Sequence, residues 1–157
     1  MNAPTRSGSD QAVLIAVDDS ENARRAVDYA GTMLGGREGV FITLLHVISE
    51  PEEDLFARVE EKQQWLDKER RRIAGVLEDY RRGLVSAGVS EADIRVHTPL
   101  RFCPSIAECI LAERDAANVG TIVVGRQGLS RKEEFLFGSV SSKIVSHARN
   151  CAVWVVA

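Results

Sequence analysis

The chain is sparing with cysteine, proline and aromatic residues: three, four and 6% respectively of 157 residues. An odd cysteine number with no C-x-x-C pair argues against a disulfide framework or a zinc site. Cys103, Cys109 and Cys151 therefore read as buried reduced thiols. No apolar run approaches the length of a membrane span. Positive charge is not in excess either. Twenty Lys and Arg face 23 Asp and Glu, for a formal net charge of -3. A general nucleic-acid binder would carry the opposite balance, although a local basic patch at an anionic ligand stays open. The opening MNAPTRSGSDQ has one Arg and no apolar core behind it. It reads as a flexible lead-in over residues 1–11 and not as a secretory signal, so the expected location is cytoplasmic. Residues 12–157 suffice for one domain with its own core.

Short, nearly continuous apolar runs stand out in what is present. AVLIAVD (12–18), VFITLLHVI (40–48), TIVVG (121–125) and AVWVVA (152–157) are too short for typical helices and rich in Val and Ile. They read as strands, the first buried on both faces, the second buried and the third fully apolar. IRVHTPL (94–100) alternates and reads as a further, half-exposed strand. Helical spacing fills the gaps. Ala23, Ala26, Val27, Ala30 and Leu34 share a face after the N-cap candidate Ser20, and Gly35-Gly36 ends that helix. A long helix is expected from Leu55 to Ala87, stopped at Gly88. Its KERRR run (68–72) reads as a solvated face, offset by neighbouring carboxylates. Pro104 and Ser105 open a third helix, and Gly138-Ser139 a fourth.

The order β-α-β-α-β-α-β-α-β predicts a single-domain α/β fold: an open five-stranded parallel sheet with helices on both faces. Ligands of such sheets sit beyond the carboxyl ends of the strands, where strand order reverses. Two stretches end there. Gly125 and Gly128 follow a buried strand, and Gly138-Ser139 begins the next helix. Glycines let backbone N–H groups approach a ligand and allow positive φ; a helix N-terminus attracts phosphate. Arg126, Arg131 and Lys132 add positive charge. The alternative is a plain turn plus an N-cap. The spacing matches neither the P-loop nor the dinucleotide fingerprint. Asp18 and Asp19 end strand one, with helix capping as the ordinary role of Asp19 or Ser20. His46, near the end of strand two, reads as a hydrogen-bonded histidine at the core margin. Neither His97 nor His147 has a Cys or carboxylate at ligand spacing. No general base stands out, so catalysis is not expected.

VDDSE after strand one, LLHV on strand two, G-x-x-G-x9-G-S before the last helix and the closing CAVWVVA together resemble the universal stress protein family, in its ATP-binding branch. The resemblance runs from about Val13 to Val156. It implies a Rossmann-like fold of the adenine nucleotide alpha hydrolase type. It also implies that ATP, ADP or AMP, with or without Mg²⁺ or Mn²⁺, serves as a regulatory ligand. Asp18 would meet the adenine or ribose end and the backbone of Val47 the adenine. Val124 and Gly125 would line the ribose and phosphates, with Gly128, Gly138, Ser139 and Val140 at the phosphates and Ser141 near the terminal one. A homodimer through the C-terminal strand and a regulatory protein partner are implied as well, with no nucleic-acid or membrane partner. The alternatives are a slow ATPase or phosphoryl-transfer enzyme and a nucleotide-free interaction module. Asp19 stands where a small Gly is common, charging the base pocket. Phe102 stands at a frequent Gly position, where it would reshape the mouth of the site.

Overall fold

Strands and helices alternate along the chain in the computed structural model, which describes residues 11–126 and 139–157, with Glu53 described by its backbone alone. In order they are β1 (Ala12–Ala16), α1 (Glu21–Leu34), β2 (Phe41–Leu45), β3 (Ile48–Ser49), α2 (Val59–Ser86), β4 (Ile94–His97), β5 (Leu100–Arg101), α3 (Ile106–Ala117), β6 (Thr121–Gly125), α4 (Ser139–His147) and β7 (Ala152–Val156). Five strands form one parallel sheet in the order β4-β2-β1-β6-β7.

Period-two alternation divides the core between the two faces of this sheet. Val13, Ile15, Ile42, Leu44 and Val123 pack with Ala26 and Val27 of α1 and Ile73 and Leu77 of α2. Leu14, Leu45, Ile122 and Val124 pack with Ala107 and Ile110 of α3 and Ile144 of α4. The continuous apolar strands are thus explained: both faces of β1 and β6 are covered.

Helix ends follow their local chemistry. The Oγ of Ser20 accepts from the Ala23 N–H at 3.1 Å, capping α1. Ser105 caps α3 in the same way, through the Glu108 N–H at 3.2 Å. The carboxyl ends of α1 and α2 meet where the Gly36 N–H donates to the Gly88 carbonyl at 3.0 Å. Gly88 has φ +106°, and a Cβ there would sit 3.0 Å from the Gly36 nitrogen. Both facts call for glycine.

Three expected boundaries change. The strand expected over 40–48 ends as β2 at Leu45, with β3 beyond it, and the strand expected over 94–100 splits into β4 and β5. β3 and β5 make a separate two-stranded parallel sheet. The cause is the step at the sheet's end. β1 stops at Ala16, so β2 loses its inner neighbour there, and Pro99 has no N–H to give a ladder. One-sided pairing continues: His46, Ile48 and Glu50 donate to the carbonyls of His97, Pro99 and Arg101. The long helix begins at Val59 and not at Leu55, which lies in a separate 3₁₀ turn. Phe56 and Arg58 between them are extended.

Candidate functional site

β1 has β2 on one side and β6 on the other, so the chain's path reverses across it. A cleft of about 190 Å³ opens at that place, beyond the carboxyl ends of all three strands. Its floor is Ala16, Val17, Leu45 and Val124, and Gly125 closes the β6 side. His46 and Val47 form the wall after β2, and Ile106 and Ile110 of α3 the apolar wall opposite. Asp18, Ser20 and Asn22 form the polar rim, and Val140 of α4 completes it.

The β1–α1 loop at this rim is fixed from three directions. The Val17 N–H donates to the Leu45 carbonyl at 2.8 Å. The Val17 carbonyl accepts from His46 Nδ1 at 2.8 Å, which sets the ring as an Nδ1 donor and places this histidine where the sequence expects it. The Asp18 carbonyl accepts from the Tyr80 hydroxyl of α2, also at 2.8 Å. Burial raises the Tyr80 pKa above the ordinary tyrosine value, keeping that hydroxyl a donor. The Asp18 carboxylate accepts from the Ser20 hydroxyl and is itself exposed at the rim.

Asp19 does not charge the cleft. Its carboxylate lies 3.6 Å from Arg72 of α2, and Arg72 also holds Glu69 at 2.6 Å. The Arg72 hydrogen bond lowers the Glu69 pKa below the usual carboxylate value. Lys68, Arg70, Arg71 and Arg72 of the KERRR run are exposed, the solvated face expected from the sequence, and Arg72 pairs there with the loop at the site. Phe102 is 78% exposed and absent from the cleft walls.

His46 and Ile48 direct their N–H groups to the β4–β5 side. Strand alternation turns the N–H and carbonyl of Val47 the other way, past the end of β1. Gly125 does not use the positive φ that glycine allows. It is needed because α1 begins against it, and a Cβ would lie 2.4 Å from the Asn22 carbonyl oxygen.

Of the site residues expected from sequence, Asp18, Val47, Val124, Gly125 and Val140 come together in the cleft. Ser139 starts α4 on the exposed side, and Ser141 is buried at 2% exposure; neither lines the cleft. Gly128 and Gly138 lie outside the described residues. Sequence reasoning missed Tyr80, Arg72, Ile106 and Ile110. Tyr80 and the isoleucines sit in ordinary helical apolar stripes, which carry no mark of a site. The cysteines are a further correction. Cys103 and Cys109 are joined as a disulfide, with Cα atoms 5.8 Å apart, and Cys151 is free. The extended N-cap Ser105 folds the preceding chain back over the first turn of α3, bringing together residues whose spacing of six gives no such signal.

The universal stress protein family model matches residues 11–157. The chain belongs to the universal stress protein family. A relative named as a universal stress protein in Staphylococcus epidermidis is 32% identical over 146 residues, covering 92% of this chain and 82% of its own. A Staphylococcus haemolyticus relative of the same description is 31% identical with the same coverage. Among solved structures, universal stress protein UspA from Lactobacillus plantarum superposes with a TM-score of 0.75 at 20% identity, covering 94% of this chain and 97% of its own. A universal stress protein in complex with cAMP gives 0.70 at 21% identity, covering 95% and 98%. These likenesses establish the Rossmann-like universal stress protein fold. No described helix is long and apolar enough to cross a membrane.

Proposed function

We propose that this universal stress protein binds an adenine nucleotide, ATP or its di- or monophosphate, as a regulatory ligand. The observation that carries the reading is the cleft at the strand-order reversal. There an apolar slot between Val47, Ile106 and Ile110 lies beside the carboxylate of Asp18. A flat base fits such a slot, with the turned-out backbone of Val47 at its edge, and a ribose hydroxyl or amino group suits Asp18. A related fold holding cAMP supports the same ligand class. Phosphates would run toward Gly125 and the start of α4, with the Gly128 and Gly138 motif beyond the described residues. Among the described residues no group of three or more His, Cys, Asp or Glu gathers at metal-binding distance. Mg²⁺ or Mn²⁺ bound with the nucleotide would be held largely by the phosphates and water, since Mg²⁺ usually keeps several waters. The proposed setting is cytoplasmic, as a homodimer through β7 with a regulatory protein partner.

The test is to denature the purified protein, identify the small molecules released, and titrate ATP into nucleotide-free protein by calorimetry. Recovery of an adenine nucleotide, or saturable ATP binding, is expected. Asp18→Asn should weaken binding about tenfold or more, the scale of a hydrogen bond to a charged group. No released nucleotide together with no heat on titration would leave a nucleotide-free interaction module as the better reading.

A further inference from the structure

The Cys103–Cys109 disulfide ties the turn before α3 to the first turns of that helix, whose Ile106 and Ile110 line the cleft. Cys103 is half-buried in the turn before α3, whereas Cys109 is 4% exposed inside the core between the sheet and α3 and α4. The bond encloses the N-cap Ser105 and Ile106, and Ile110 follows Cys109 directly; both isoleucines line the cleft. The same turn is tied to α4. Lys143 Nζ donates to Ser105 Oγ at 3.1 Å and lies 3.4 Å from Glu108 Oε1. Val140, also on the cleft, sits one turn earlier on α4. A single covalent bond thus fastens the α3 wall, and through Lys143 the start of α4.

We propose that Cys103 and Cys109 form a thiol–disulfide exchange site for low-molecular-weight thiols and disulfides, and that its state sets the nucleotide affinity of the cleft. The second half rests on the nucleotide reading above. In the opening direction a small thiolate attacks Cys103 Sγ, because Cys109 Sγ is buried. The protein S–S bond breaks, Cys109 leaves as a thiolate and takes a proton, and Cys103 carries the mixed disulfide. A second small thiolate attacks the sulfur of the first, which forms the small disulfide and releases Cys103 as a thiolate that takes a proton. Two electrons pass from the small thiols to the protein. Closure is the reverse: Cys103 thiolate attacks the small disulfide, and Cys109 then displaces the second small thiolate. Opening removes the staple across the first turn of α3, so Ile106 and Ile110 hold the wall less often in its binding geometry.

Equilibration in glutathione buffers of graded redox ratio, followed by alkylation and mass spectrometry, reads the exchange. The protein should pass reversibly between one and three alkylated cysteines of its three, Cys151 reacting in both forms. ATP is then titrated into both forms, and amide exchange is followed over residues 105–110. The reduced form should bind about tenfold more weakly, as when the binding-competent wall is populated roughly a tenth of the time. Its α3 amides should exchange faster. Cys103→Ser should copy the reduced form whatever the buffer. Equal ATP affinity in both forms overturns this inference and leaves the nucleotide reading intact. Binding in neither form overturns both. Three reactive cysteines at every buffer ratio, or one at every ratio, overturns the exchange site.

Discussion

A Cβ on Gly125 would meet the Asn22 carbonyl oxygen at 2.4 Å, and both partners are backbone, so neither can swing aside. The glycine at the end of β6 is therefore a packing requirement of the fold before it is anything else. Gly125→Ala should cost about 1–3 kcal/mol, the range for overpacking a tight contact, read as a lower urea midpoint at unchanged slope. Wild-type stability in this variant would show that α1 does not press on β6 as described. Tyr80 acts at the same scale. Its hydroxyl holds the Asp18 carbonyl, and Tyr80→Phe should cost about 1 kcal/mol near neutral pH. Burial raises the folded-state pKa above the unfolded one. The contribution is then full below about pH 10 and is lost as pH rises through the folded value. The stability gap between wild type and Tyr80→Phe should accordingly narrow in alkaline urea titrations. A constant gap across that range would remove the pH argument.

Among the elements, α3 is the one whose ends carry most of the site's support. Its N-cap Ser105 also receives Lys143 from α4. Further along, Glu113 is only 8% exposed, and its carboxylate lies 2.8 Å from Arg101 of β5 and 3.1 Å from His97 of β4. The small β3–β5 sheet is thereby tied to the helix that walls the cleft. Loss of the cap in Ser105→Ala should cost about 1 kcal/mol, and Ser105→Thr, which keeps the hydroxyl, should recover most of it. The check is amide exchange over the first turn of α3 alongside thermal melting. If Ser105→Ala leaves both unchanged, the helix start is held by the disulfide alone.

At the scale of the whole molecule, the sheet ends on one side in β7. Ala152 and Val156 use their backbone toward β6, through the Ala152 N–H to Gly120 and the Val156 carbonyl from Arg126. Alternation then points the N–H groups of Val153 and Val155 outward, along the proposed dimer edge. Val155→Pro removes an outward donor and none from the β6 ladder, the position where an edge strand tolerates proline. Sedimentation should report a monomer whose circular dichroism and melting stay near wild type. A persistent dimer would place the interface elsewhere. ATP should also raise the melting temperature in a concentration-dependent way, by about 2.7 kcal/mol of stabilisation at a hundredfold excess over Kd.

The sequence by itself determined the layered fold. Strands covered on both faces leave continuous apolar runs, helices leave a three-four rhythm, and Ser20, Ser105 and Gly88 mark ends through chemistry local to a few residues. It also carried the residues that end the strands, Asp18, Val47, Val124 and Gly125, because parallel topology sends all strand ends to one side. Tertiary structure alone decided what reaches them from far along the chain. Tyr80 lies 62 residues from the carbonyl it holds, and Arg72 far from Asp19. The split of β2 from β3 depends on where β1 stops, which is a property of a neighbouring strand. Cys103 meets Cys109 because an extended cap folds the chain back over a helix. The long-range contacts do not follow from spacing, since they are set by how separate elements pack, and the disulfide, though only six residues apart, depends on the geometry of the cap and not on a helical or strand period.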